Sequence, residues 1–117
     1  MKVKDYKELT VWQRGVDLAN AVYDATEEFP KQEQYGLISQ MRRAAVSIPA
    51  NIAEGFMRHH TNEYRQHLYV ALGSCAELET YIVIARRREY LAEPHVALFT
   101  DALSHELRML RGLIRAL

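Results

Sequence analysis

The segment from Gly36 to Arg58 carries an apolar pattern and a polar pattern side by side. Its apolar residues recur every three or four positions, as they do along one side of a helix. They are Leu37, Met41, Ala44, Ile48, Ile52 and Phe56. A second set, the polar stripe, recurs at the same spacing about one position out of phase. Its members are Gln40, Arg43, Ser47, Asn51, Glu54 and Arg58. The segment predicts a helix with two distinct sides.

Pro49 lies inside this predicted helix, where a proline removes a backbone donor and costs about 3 kcal/mol. Ser47 and Asn51 are also weaker helix formers than the Glu, Lys and Gln that usually fill an exposed face. Departures from local rules concentrate at functional or strained sites. They therefore point to this helix as a place of function, without indicating a chemistry.

End signals divide the chain into four helices. Thr10 and Gln13 form a T-x-x-Q capping box for the first, and Thr61 is the best cap for the third. The residue before Pro30 avoids the helical conformation, which ends the first helix, whereas Pro94 fits the first position of the last. The predicted helices cover about 10–28, 33–56, 61–88 and 94–117.

Four helices with short connections predict an all-α fold, an antiparallel up-and-down four-helix bundle that forms one domain over residues 1–117. Residues 1–9 are predicted to be a short polar arm. Gly55 is the expected end of the second helix, and Gly73 predicts close approach of a neighbour to the third.

Cysteine usage and apolar run lengths predict a soluble, cytoplasmic protein. Cys75 is the single cysteine, so no intramolecular disulfide forms, in keeping with a reducing compartment. The first residues, MKVKDYKELTVW, contain no apolar signal-peptide core. The longest uninterrupted apolar run covers 81–85, far short of the ~20 residues that span a bilayer.

Few residues carry the signature of catalysis or metal binding. His60, Glu63 and His67 share one face of the third helix, but the E-x-x-H pattern of di-metal bundles is absent. Exposed titratable side chains are the simpler interpretation, so no cofactor is predicted. Cys75 lies within an apolar seam, where a thiol is inert. Without a Gly-rich phosphate loop or nucleophile elbow, the chain is predicted not to be an enzyme.

The formal net charge is zero, with 15 Lys plus Arg against 15 Asp plus Glu. Any binding to nucleic acid must therefore depend on how the charge is distributed. Arginine forks suit phosphate groups, and seven arginines are candidates for nucleic-acid contact. They are Arg42, Arg43, Arg58, Arg65, Arg108, Arg111 and Arg115. Alternatively, these arginines flank the core or bridge to carboxylates.

The polar stripe also predicts self-association, because one four-helix bundle needs to bury only one side of this helix. Polar side chains that pair across a symmetric interface fix the geometry of assembly more than they add stability. The predicted interface residues are Gln40, Ser47, Asn51 and Glu54. A solvated helix face is the alternative.

The block from Gln40 to Gly55 has the form Q-x-x-R-A-A-x-S-I-x-x-N-I-A-E-G, and the flanking runs GSCAELETYIVIA and MLRGLIRAL extend the similarity over nearly the whole chain. It resembles the proteins encoded by intervening sequences in bacterial large-subunit ribosomal RNA genes. These are similar in turn to the accessory variability determinant proteins of diversity-generating retroelements.

The resemblance implies an antiparallel four-helix bundle that assembles as a ring, expected to be a homopentamer. It further implies a positively charged surface for RNA or DNA and, for a retroelement relative, a reverse transcriptase partner. It carries over no catalytic residues. A protein–protein assembly module with no nucleic-acid role is the alternative function.

Overall fold

The computed structural model describes residues 3–117, and within that range it contains four long helices and no strand. Two short 3-10 turns, Tyr6–Glu8 and Lys31–Glu33, precede the first and second helices. The four helices are α1 (Thr10–Thr26), α2 (Leu37–Met57), α3 (Thr61–Arg87) and α4 (Glu93–Ala116). The predicted all-α four-helix fold is confirmed.

Contacts between helices show that successive helices run in opposite directions. Residues near the start of α2 pair with the end of α3, as in the Gln40–Tyr81 contact, and the Arg65–Leu117 bond relates α3 to α4 in the same way. α1 packs against both α2 and α4, which closes the bundle. The core is built from one apolar stripe per helix.

The first and third helices begin as predicted, but the predicted side-chain caps do not form. Leu9 and His60, one residue before Thr10 and Thr61, occupy the cap positions of α1 and α3, and neither helix has a side-chain cap. The predicted capping box is wrong, since the Gln13 amide donates to the Lys7 carbonyl at 2.7 Å.

The predicted start of the second helix near residue 33 falls in a 3-10 turn, and α2 begins at Leu37. Gly36 adopts a non-helical conformation with φ −112° and ψ −113°. The Glu33 carboxylate accepts the Leu37 N–H at 3.2 Å, so it satisfies one of the free donors at the helix start. The same residue pins the turn by accepting the Tyr90 hydroxyl at 3.0 Å.

The described part of the predicted arm is packed against the bundle, and residues 1–2 of that arm lie outside the described residues. The Tyr6 ring lies edge-on to Trp12 at 5.4 Å between centroids and to Phe56 at 6.3 Å. These contacts attach the chain start to α1 and to the end of α2. The segment is therefore an ordered extension of the bundle.

Both glycine predictions are wrong. Gly55 lies within α2 and does not end it; a Cβ there would be 2.7 Å from the His67 Cβ and 3.2 Å from the Tyr64 carbonyl oxygen. Gly55 therefore marks a close approach of α2 to α3. A Cβ at Gly73 would meet nothing within 4 Å, so no helix approaches there.

The α3 helix is long and apolar enough, by composition alone, to cross a membrane. Its apolar seam instead fills the middle of the bundle, where Leu68, Ala71, Cys75 and Leu78 are fully buried. Burial, with a smaller contribution from Glu106, raises the pKa of the Cys75 thiol to about 12. The thiol is therefore protonated and unreactive at neutral pH.

Candidate nucleic-acid and assembly surfaces

The residues of the polar stripe other than Arg43 lie beside α3, and we call their hydrogen bonds and ion pairs the polar seam. The hydroxyls of Ser47 and Ser74 are 2.8 Å apart. The Asn51 amide donates to the Ser47 carbonyl at 2.8 Å and to its hydroxyl at 3.0 Å. The Asn51 carbonyl oxygen lies 3.0 Å from Nδ1 of His67. Ser47 and Asn51, the weak helix formers of α2, therefore form hydrogen bonds with α3.

The seam continues toward the start of α2. The Tyr81 hydroxyl donates to the Glu77 carboxylate at 2.8 Å and lies 3.4 Å from the Gln40 amide oxygen. The bond to Glu77 raises the pKa of Tyr81, because it holds the phenol proton. Toward the end of α2, the Arg58 guanidinium pairs with Glu54 at 3.1 Å and with Glu63 at 3.4 Å.

All four predicted interface residues, Gln40, Ser47, Asn51 and Glu54, therefore lie along one seam with partners in the same chain. These contacts explain the polar character of the four residues without a second subunit. Their place in a subunit interface stays a prediction.

The three candidate metal ligands are separated by their other contacts. His67 is directed to Asn51 through Nδ1 and to Glu54 through Nε2, at 3.0 and 3.9 Å. Glu63 pairs with Arg58, and His60 lies 4.0 Å from its other oxygen. Across residues 3–117 no group of three His, Cys, Asp or Glu side chains is arranged to hold a metal ion.

Three of the seven candidate arginines are engaged within the chain. Arg42 donates to the Thr26 hydroxyl at 2.9 Å and stacks over the Tyr23 ring at 4.5 Å, which ties α2 to α1. Arg65 donates to the Leu117 carbonyl at 2.9 Å and secures the end of α4. Arg58 belongs to the polar seam. These contacts account for all three without nucleic acid.

The remaining candidates are exposed. Arg43 is exposed on α2, next to Arg42 in the sequence. The arginine stripe, formed by Arg108, Arg111 and Arg115, follows the exposed side of the last turns of α4. Within residues 3–117, none of the three arginines of this stripe has a carboxylate within 4.0 Å. Arg108 makes only a 3.5 Å contact with the Ser104 hydroxyl. The structure thus places three unneutralised guanidinium groups on one helix face.

A buried carboxyl group in the core was missed at the sequence level. Glu106 is 1% exposed, and its Oε2 has no hydrogen-bond partner. A Cβ at Gly15 would lie 3.0 Å from Oε2 and 3.3 Å from the Pro49 ring, so three helices meet here. Burial raises the pKa of Glu106 to about 8, and Arg14 opposes that shift. In the sequence, its position between Leu103 and Leu110 in the apolar seam of α4 was the signal that Glu106 would be buried.

Glu106 is a single acid whose charge acts on the Cys75 thiol, and both groups are buried in the core. Titratable groups with perturbed pKa values cluster at active sites, but catalysis needs an accessible partner or substrate. Glu106 faces Gly15 and Pro49, neither of which offers a nucleophile or a base. We therefore assign Glu106 an effect on the stability of the folded protein.

Comparison with known proteins identifies similar chains. A family model described as 23S rRNA-intervening sequence protein matches residues 7–112. A crystal structure from Bacteroides thetaiotaomicron, of a protein with unknown function from the S23 ribosomal protein family, superposes with a TM-score of 0.82. The alignment has 20% sequence identity and covers 90% of this chain and 95% of that chain, which shows a common fold. A search of curated proteins gave no match.

Proposed function

The chain belongs to the 23S rRNA-intervening sequence protein family, and we propose that it is a non-enzymatic, self-assembling cytoplasmic bundle that binds structured RNA through the arginine stripe. The observation that carries this proposal is the exposure of Arg108, Arg111 and Arg115 without carboxylate partners. The family match over residues 7–112 supports the proposal, because the family description refers to 23S rRNA and names no catalytic activity.

The arginine stripe suits phosphate recognition despite the zero net charge of the chain. Seven residues of helix separate Arg108 from Arg115, so the three guanidinium groups extend over roughly 10 Å. That length matches contacts with successive phosphates of one strand. Guanidinium groups bind phosphate oxygens in pairs, and binding releases counterions, so the affinity should fall as salt rises.

Replacing Arg108, Arg111 and Arg115 together by Gln should weaken binding to a structured RNA hairpin. Fluorescence anisotropy at several salt concentrations measures both the affinity and its salt dependence. The slope of log K against log[salt] should decrease by roughly 2–3 if all three contact phosphate.

The matched control replaces Arg86, Arg87 and Arg88 by Gln. It removes the same charge from the opposite end of the bundle, at the end of α3. Equal losses in the two variants would mean that net charge, and not this helix face, governs binding. An affinity that does not change with salt would reject phosphate contact altogether.

Assembly is supported by a second observation, the apolar character of the outer surface of α2 and α3. Isolated exposed apolar residues are normal, whereas apolar residues that share a helix face mark an interaction surface. Tyr69 and Val83, and likewise Val70 and Ile84, are fourteen positions apart and so lie on the same face of α3. The exposed members are Val46, Met57, Tyr69, Val70, Val83 and Ile84. We propose that this surface contacts a second copy in a homopentamer.

Light scattering should therefore give a mass of about 68 kDa, five times the 13.6 kDa chain. The double variant Val83→Glu, Ile84→Glu should lower that mass, because it places charge on the apolar surface. Ala97→Glu, at an exposed position of α4, is the control. A wild-type monomer at micromolar concentration would contradict the proposal.

The same apolar surface favours the second candidate function, a protein–protein assembly module without a nucleic-acid role. The zero net charge is compatible with it. An oligomer that shows no salt-dependent RNA binding would select this second function.

A further inference from the structure

A groove of about 900 Å³ lies between α1 and α4, the most loosely packed pair of adjacent helices. Its floor is formed by the buried side chains of Leu18, Leu91 and Phe99. Leu98 stands at its α4 edge and is 68% exposed, the largest exposed fraction of any leucine described. The groove is therefore apolar at its floor and along one edge.

Small side chains create the groove. Ala21 and Ala25 on α1 and Ala102 on α4 line it, at positions where larger residues would fill the space between the two helices. The lining extends over roughly 15–20 Å along both helices. That length corresponds to about 10–14 residues of a helix.

The α1 edge of the groove is acidic. Asp17, Asp24 and Glu28 line this edge, and in the part of the chain that the structure describes none of them forms an ion pair. Arg14 is the one arginine or lysine in the lining, at the far end from Glu28, and His95 lies on the α4 side. Three carboxylates therefore face an apolar channel with one cation near them.

We propose that this groove binds a basic amphipathic helix of a partner protein. The apolar side of that helix packs onto Leu18, Phe99 and Leu98, as helix-in-groove recognition requires. Its Lys or Arg residues lie beside Asp17, Asp24 and Glu28, which gives charge complementarity along one edge. The proposal is independent of RNA binding, which involves another face of α4.

Charge and chain geometry disfavour other occupants. Phosphate groups of RNA would face the unpaired carboxylates. The described N-terminal turn packs through Tyr6 on Trp12 and Phe56, none of which lines the groove, and Leu117 is held by Arg65. Neither described end of the chain occupies the groove.

A synthetic helical peptide of about 14 residues, with leucines on one side and arginines beside them, provides the probe. Fluorescence anisotropy should show binding with a dissociation constant on the order of micromolar, weakening as salt rises. The triple variant Asp17→Asn, Asp24→Asn, Glu28→Gln should weaken it at least roughly tenfold. Ala21→Trp, at an exposed position, should block the groove and abolish binding.

Two controls distinguish the groove from general attraction. The variant Glu8→Gln, Glu77→Gln, Glu79→Gln removes three exposed carboxylates outside the groove lining and should leave the affinity unchanged, because Glu77→Gln keeps an acceptor for the Tyr81 hydroxyl. A peptide with glutamate in place of arginine should not bind. No binding of the basic peptide, or equal weakening by both triple variants, would overturn the proposal. A lower oligomer mass for Ala21→Trp would also overturn it, because a second copy would then occupy the groove.

Discussion

Glu106→Leu should raise the free energy of unfolding at pH 8 by a few kcal/mol, since each unit of pKa shift is worth ~1.4 kcal/mol. The leucine has a similar volume and removes a carboxyl oxygen that is buried without a partner. It would also extend the apolar seam of α4 between Leu103 and Leu110. Few single substitutions in this chain should stabilise it as much.

The effect should depend on pH in a defined direction. Burial raises the pKa of Glu106 from 4.5 to about 8 in the folded protein, so between these values the folded state holds a proton that the unfolded state has released. Rising pH therefore favours unfolding across that window, and the loss is complete above about pH 8. Below pH 4.5 both states are protonated and the residue adds no pH dependence.

Urea unfolding at fixed protein concentration, from pH 5.5 to 8.5, measures this window. Glu106→Gln should also remove the decline with pH but gain less stability, because it keeps a buried amide. Glu79→Gln is the exposed control and should behave as wild type. Parallel pH profiles for wild type and Glu106→Leu would show that the carboxyl does not titrate as described.

Gly55→Ala should destabilise the protein by about 1–3 kcal/mol, the usual cost of overpacking. The added methyl group would lie 2.7 Å from the Cβ of His67, and the Tyr64 backbone on the same side cannot move aside easily. α2 and α3 would have to separate where the polar seam joins them. The matched substitution Gly73→Ala should instead stabilise by about 0.5–1 kcal/mol, because alanine favours a helix and nothing lies within 4 Å.

The two variants make the same chemical change in a helix. The difference between their urea midpoints therefore measures the cost of the close contact at Gly55. Thermal unfolding monitored by circular dichroism provides an independent measurement. Equal effects of the same sign would mean that α2 and α3 do not approach closely at Gly55.

Periodicity in the sequence predicted the helices and the core well, because apolar spacing depends on local chain geometry alone. The apolar seam of α3 that contains Cys75 is buried as expected. Helix ends were less predictable. Glu33 caps α2 from outside, a contact that depends on the path of the turn and not on the residues of the helix.

The candidate sites depended on tertiary neighbours that no single sequence displays. Arg42 and Arg108 are both arginines beside an apolar seam, yet Tyr23 and Thr26 engage the first, and the second is exposed without a carboxylate partner. The partners of the polar stripe were likewise hidden, since Ser74 and His67 lie on another helix. The sequence shows Glu106 as a polar residue at the spacing of the leucines of α4. Only the structure shows that its carboxyl group is buried.

The polar seam also restricts how the hairpin of α2 and α3 can be aligned. Sliding one helix by a single turn, about 5.4 Å, would separate the Ser47–Ser74 and Asn51–His67 pairs together. A purely apolar contact would tolerate such slippage at little cost in free energy. Half-buried hydrogen-bonding groups would instead lose their partners, which destabilises the shifted arrangement. The seam therefore selects one register, and with it the position at which Gly55 allows the two backbones to meet.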